Sequence, residues 1–180
     1  LPAGQGIVGP IPEGRDPTEY DKLRRRVLWT MPSGLYVIGS RAAERMNAMT
    51  ANWVTQLSFD PKVVGVSVEK PAFTHELIAT GRVFTVNIID REDRAIVRKF
   101  TKPVEVDGDA STVNGLPFHE APSGAPILDT AVAWVDCAVH QDVDLGGSTL
   151  FIGEVTDAGF QKPEDTGVLR MEDTRMSYGG

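Results

Sequence analysis

The chain has 180 residues, with 18 basic side chains against 25 acidic ones and a formal net charge of −7. A negative chain whose basic residues are scattered is disfavoured as a general binder of nucleic acid or of an anionic membrane. At this length a single domain buries about 70% of its unfolded surface and needs no staples, and with Cys137 as the only cysteine no intrachain disulfide forms.

Residues 1–16 are rich in proline and glycine and predict an extended arm, one that in a dimer crosses onto its neighbour. The run from Gly4 to Gly9 spells a dinucleotide fingerprint, but no strand precedes it and Pro10 follows where a helix should run, so a Rossmann reading is rejected. Residues 17–180 are expected to form the folded domain. A helix is predicted over 18–29, ended by Pro32, with Arg24, Arg25 and Arg26 on a solvated face. Strands follow at 35–40, 49–57, 63–69 and 83–89. A helix over 72–80 separates the last two, with Gly81 as its stop.

A short helix is predicted over 91–100, with Ile96, Val97 and Phe100 on its apolar stripe. Residues 101–126 read as a long loop, and a loop of that length in a compact domain marks a lid or specificity element. Strands return at 131–142 and 149–156, and residues 167–178 close the chain with a last strand. Cys137 lies in an apolar run and is expected to be a buried, inert thiol. Mostly hairpin connections favour a mostly β fold with a few short helices, a closed antiparallel barrel.

Two segments carry chemistry. Along 49–57, Met49, Ala51, Trp53 and Leu57 share one parity while Thr50, Asn52 and Gln56 share the other. A rim of short hydrogen-bonding groups beside an apolar face meets the needs of an isoalloxazine ring, with Thr50 and Asn52 as its polar contacts. An ordinary half-exposed strand whose polar face meets water has the same pattern, and packing is the default role for Trp53. The junction at Glu69-Lys70-Pro71 leads into a helix start, where free N–H groups, Lys70 and the Thr74 hydroxyl suit a phosphate. A lysine at such a turn often faces only solvent.

These residues resemble the flavin reductase-like proteins of the FMN-binding split-barrel fold, over residues 23–157. The resemblance rests on four pieces in order: PSGLYVIGS at 32–40, NAMTANW at 47–53 followed by SFDPKVVGVSVEK, FTHELIATGRVFTVNII at 73–89, and GGSTLFIGEV at 146–155. It implies a closed antiparallel split β-barrel and a homodimer with noncovalent FMN, FAD being the alternative, near the subunit interface. Asn47, Thr50, Ala51, Asn52 and Trp53 would line the ring, and Lys70, Phe73 and Thr74 would surround the phosphate. The activity implied is NAD(P)H-dependent flavin reduction, with NADH or NADPH as donor and electrons passed to flavin or to a partner monooxygenase.

One departure stands out. Many reductases of this family carry Gly-Asp-His ahead of the strand, the histidine being associated with the nicotinamide, whereas this chain has Gly147 and Ser148 at the last two positions. That keeps a second reading open, a flavin-binding electron carrier without pyridine-nucleotide turnover. Fold analogy alone also admits a reduced deazaflavin as donor.

Other chemistry lacks its signals. There is no HExxH, paired CxxC, GxSxG or P-loop, and His75, His119 and His140 are isolated along the chain, so neither a metal nor a proton-transfer catalyst is expected. Hydride transfer to flavin asks mainly for position and electrostatics from the protein. No run reaches the ~20 apolar residues of a membrane span and no secretion signal is read at the start, so the expected location is the cytoplasm.

Overall fold

The structure, a computed structural model, describes residues 9–175. Among the described residues there are two α-helices and eleven strands, all strand pairs being antiparallel. Helix α1 (Pro17–Leu28) begins where Asp16 accepts the Glu19 N–H at 2.9 Å and proline occupies the first turn. None of its residues is buried. Strands β1 (Tyr36–Ala42), β2 (Arg45–Ala51), β3 (Val54–Phe59) and β4 (Lys62–Glu69) follow, then α2 (Phe73–Gly81) and β5 (Val83–Ile88). The long strands β10 (Ala133–Asp144) and β11 (Ser148–Phe160) complete a seven-stranded sheet of order β2-β1-β5-β10-β11-β4-β3.

That order fixes the sheet's form. Seven strands spaced about 4.8 Å apart would put the outer two roughly 29 Å apart if flat. Yet Ala51, ending one edge strand, is joined to Val54, opening the other, through only Asn52 and Trp53, a reach of about 10 Å. The sheet therefore rolls until its two edges meet at this corner. The expected closed barrel is corrected here: β2 and β3 do not pair, because the chain bends at Asn52 and Trp53, whose carbonyl accepts the Ser67 N–H at 3.0 Å, and β3 then runs beside β4 with its other side free. The strand expected over 49–57 is likewise two strands bent apart at the corner.

Inside the roll, Ile38, Val66, Val68, Phe84 and Phe151 pack with Ile78 of α2. On the other face of β1, β2 and β5, a second core of Leu35, Val37, Ile89, Phe100, Phe118 and Leu128 is covered by the chain after β5. The helix predicted over 91–100 is two 3₁₀ turns, Arg91–Asp93 and Ile96–Phe100, with Val97 and Phe100 buried. The region predicted as a long loop folds into β6 (Val106–Asp107), β7 (Thr112–Val113), β8 (Leu116–Glu120) and β9 (Pro126–Leu128). Asn114 and Gly115, at φ 48° and 73°, make the two-residue hairpin turn between β7 and β8. Buried Asn87 ties this layer down by donating to the Val37 carbonyl at 3.1 Å and accepting the Leu128 N–H at 2.7 Å.

Helix α2 extends through Gly81, and the left-handed residue that ends it is Arg82 at φ 60°. Gly81 is needed for close approach instead, since a Cβ there would lie 1.8 Å from the Arg41 carbonyl oxygen. The last strand expected over 167–178 reduces to bridges of Val168 with Asp90 and Arg170 with Gly34, followed by a 3₁₀ turn at Met171–Asp173. Residues 176–178 of it, and residues 1–8 of the expected arm, lie outside the described residues. Among the described residues no helix is long and apolar enough to cross a membrane.

Candidate functional site

Where the rolled edges meet, β2 and β3 each offer one side with no strand partner, leaving backbone donors and acceptors for another molecule. Thr50, Ala51, Asn52 and Trp53 line a narrow hollow at this corner with Ser67, Glu69 and Ala72. Four of the eight predicted residues are thereby brought together. The hollow holds about 20 Å³, room for a water and not for a fused ring system. Anything larger than a water meets this corner only along its open edge.

Asn52 is the distinctive group there. It is 8% exposed, and its Oδ1 is fully buried with no hydrogen-bond partner. A buried acceptor left unpaired costs about 1–3 kcal/mol, so this oxygen favours any movement of the corner that brings it an N–H. Thr50 donates its hydroxyl to the Val97 carbonyl at 2.6 Å, which keeps its lone pairs as acceptors. Ala51 is buried in the inner core. Trp53, expected to pack, is 39% exposed, because the bend at the corner swings it out of the strand's parity.

The other four predicted residues lie around the start of α2 and not in the hollow. Asn47 and Thr74 are both buried and satisfy each other, Asn47 Nδ2 donating to Thr74 Oγ1 at 2.8 Å while Asn47 Oδ1 accepts the Val104 N–H at 2.9 Å. They pin α2 and the β6 segment to β2, and the Thr74 hydroxyl does not point at a free phosphate position. Phe73 lines a separate cleft of about 680 Å³, with the Arg45 guanidinium 5.6 Å above its ring. The Lys70 ammonium is ion-paired with Asp144, 2.9 and 3.0 Å from its two oxygens. Helix α2 has no side-chain cap, though Glu76 in its first turn offsets part of its N-terminal dipole.

Several neighbours escaped the sequence reading. Asp144, 74 residues beyond Lys70, reaches it because the β10–β11 hairpin tip folds over the end of β4. Lys70 holds its carboxyl below the usual carboxylate range, with help from the Gly146 N–H. His75 is not isolated in space: Nε2 lies 2.8 Å from Thr149 Oγ1 and the ring packs 5.1 Å from that of Phe151. Burial, reinforced by the Lys70 charge and opposed by Asp142, lowers its pKa below 6.5. Ser148 pairs with Glu69 and has the opposite strand parity to Thr149, so His75 approaches the face away from Ser148. His140 pairs with Glu154 at 2.8 Å and His119 with Asp129 at 2.6 Å. Among the described residues no three His, Cys, Asp or Glu side chains gather to hold a metal.

Comparison with known proteins gives a consistent answer. The model of the flavin reductase like domain matches residues 28–179. The NADH-dependent FAD reductase of Streptomyces globisporus is 34% identical over 155 residues, covering 84% of this chain and 82% of that one. The high molecular weight rubredoxin of Moorella thermoacetica is 34% identical over 137 residues, covering 74% of this chain and 58% of its own length; the chain thus spans little more than half of that relative. Among solved structures, the NADH:FAD oxidoreductase SgcE6 of Streptomyces globisporus, in complex with NAD and FAD fragments, superposes with a TM-score of 0.72 at 28% identity, covering 88% of this chain and 92% of that one.

Proposed function

The chain belongs to the flavin reductase-like domain family, and from that premise we propose that it is an oxidoreductase that holds a flavin noncovalently at the corner between β2 and β3. The rolled sheet is then read as the split form of a barrel, its unsealed seam being the flavin site. One observation carries the reading: the buried, unpartnered Asn52 Oδ1 at the end of an open strand edge, which suits the N–H of a flavin's pyrimidine rim. A flavin held there would supply hydride chemistry between a reduced nicotinamide and an acceptor.

This chain's residues supply the setting. Thr50, Asn52 and the free side of β2 orient the rim, and Ala51 and Ala72 give the ring an apolar floor. Lys70, together with the uncapped start of α2, draws the phosphate, in competition with Asp144. Asn47, Phe73 and Thr74 support the phosphate end by fixing where α2 begins. FMN is the preferred cofactor with FAD the alternative, NADH or NADPH the donor, and free flavin or a monooxygenase the acceptor. A homodimer covers the ring's outer face, and the flavin-binding unit runs over residues 17–180.

Ser148 favours the second reading, an electron carrier that does not turn over pyridine nucleotide, because His75 stands on the other side of β11 and does not replace the family's histidine. Anaerobic mixing of the FMN-loaded protein with NADH or NADPH separates the two. Rapid bleaching of the flavin supports the reductase. Bleaching only by a reduced partner protein supports the carrier, and failure to load flavin at all removes both.

A further inference from the structure

The segment after β5 carries a charged surface that a flavin at the corner leaves unused. Most basic side chains are held in ion pairs on their own surface. Arg94, Arg98, Lys99 and Lys102 have no carboxylate partner among the described residues, and all four are exposed. Residues 94–102 thus hold four positive charges and no negative one in a chain whose net charge is −7, with Glu92 and Glu105 just outside the two ends. The turn that presents them is anchored. Val97 and Phe100 are buried, and because side chains three apart eclipse in a 3₁₀ turn, Arg98 and Lys99 between them stand outward. The Thr50 hydroxyl donates to the Val97 carbonyl at 2.6 Å, and Asn114 Nδ2 donates to the Lys99 carbonyl at 2.7 Å. Since Thr50 lines the hollow at the corner, the positive turn lies against the end of β2 that opens there.

We propose that this turn is the docking surface for a protein electron partner with an acidic face, seated over Arg94, Arg98, Lys99 and Lys102 beside the corner. The spread of the charges selects a protein over a small anion. The four cations lie along an outward turn and none of them lines the hollow or the cleft beside Phe73, whereas a small anion needs its partners gathered in a concave site. A face with several carboxylates meets all four at once. Nucleic acid is disfavoured, because Glu92 on one side and Glu105, Asp107 and Asp109 on the other would interrupt a continuous phosphate track. Complementary charge speeds encounter and fixes orientation, and the negative remainder of the chain repels an acidic partner at other faces, so its approach is steered to residues 94–102. Trp53, exposed at the same corner, offers the large aromatic contact on which protein interfaces centre. A partner docked here stands beside the edge where the flavin is proposed to lie. The inference rests on the flavin reading for what the partner exchanges, and not for the contact itself.

Calorimetric binding of two small acidic electron carriers, a plant-type ferredoxin and a flavodoxin, tests the surface at low salt. At least one should bind, with an affinity that falls about 10-fold or more between about 20 and 200 mM salt. Arg98→Glu/Lys102→Glu should weaken that binding about 10-fold or more, and Arg98→Ala/Lys102→Ala should weaken it by a smaller factor. Arg26→Glu/Lys62→Glu removes the same charge from exposed, unpaired positions elsewhere and should change it less than about 2-fold. FMN uptake on the same samples should be equal in every variant. Carrier binding that follows the 94–102 charges while no sample takes up FMN leaves the contact standing and removes the flavin reading alone. The proposal is overturned if neither carrier binds, if the control pair weakens binding equally, if a duplex oligonucleotide binds as tightly, or if the Glu pair also loses FMN.

Discussion

Replacing Asn52 by leucine should separate binding from stability. The side chain is 8% exposed and its Oδ1 has no partner, so the free protein carries a desolvated acceptor at a cost of about 1–3 kcal/mol. Leucine has the same branched outline, is somewhat bulkier and has no polar atom, so Asn52→Leu should stabilise the flavin-free protein by about 1 kcal/mol, which raises Tm by about 2–4 °C at this size. Flavin affinity should move the opposite way. A flavin N–H that met the amide oxygen would instead be buried against a methyl group, at a cost of about 1–2 kcal/mol, or roughly 5- to 30-fold in Kd. Urea denaturation of the flavin-free protein and quenching of flavin fluorescence measure the two effects independently. Loss of stability together with unchanged flavin affinity would show that Asn52 serves the fold alone and would refute the reasoning.

Three further outcomes follow from the same geometry. Lys70→Ala should weaken FMN about 3- to 10-fold and leave riboflavin unaffected, while Asp144→Asn, which releases the ammonium, should tighten FMN; equal effects on both flavins would remove the phosphate assignment. Because the folded protein lowers the His75 pKa below 6.5, the unfolded chain binds more protons as acid is added, so stability should be lost from pH 6.5 downward until the folded-state pKa is passed. His75→Gln should flatten that part of the stability profile, and an unchanged slope would exclude His75 as its source. Cys137, 1% exposed with its thiol pushed up to about 12, should resist a thiol reagent in native protein and react at once in urea; rapid native labelling would contradict its burial.

How far the sequence could be read depended on whether a feature is local. Asp16 and Pro17 mark the start of α1, and the apolar runs of β4 and β5 are long enough to stand out. The bend at Asn52 was hidden because the parity of Met49 and Ala51 continues formally to Trp53, and only the rolled sheet requires the chain to cross between edges there. The Asn114-Gly115 pair is a legible hairpin signal inside the segment whose composition predicts a loop. Gly81 as a helix stop was a sound expectation from composition, but a tertiary demand, the nearby Arg41 carbonyl, occupies that glycine and leaves the left-handed turn to Arg82. The contacts of Lys70 with Asp144, Asn47 with Thr74 and Val104, and His75 with Thr149 join residues 27 to 74 positions apart. Such contacts are set by strand register, which no single stretch of sequence displays.

A crystal structure of the protein with FMN tests the central claim most directly. The account predicts the pyrimidine rim within hydrogen-bond reach of Asn52 along the free side of β2, and the phosphate near Lys70 at the start of α2. Flavin density anywhere else, or calorimetry that detects no uptake under the same conditions, would contradict it.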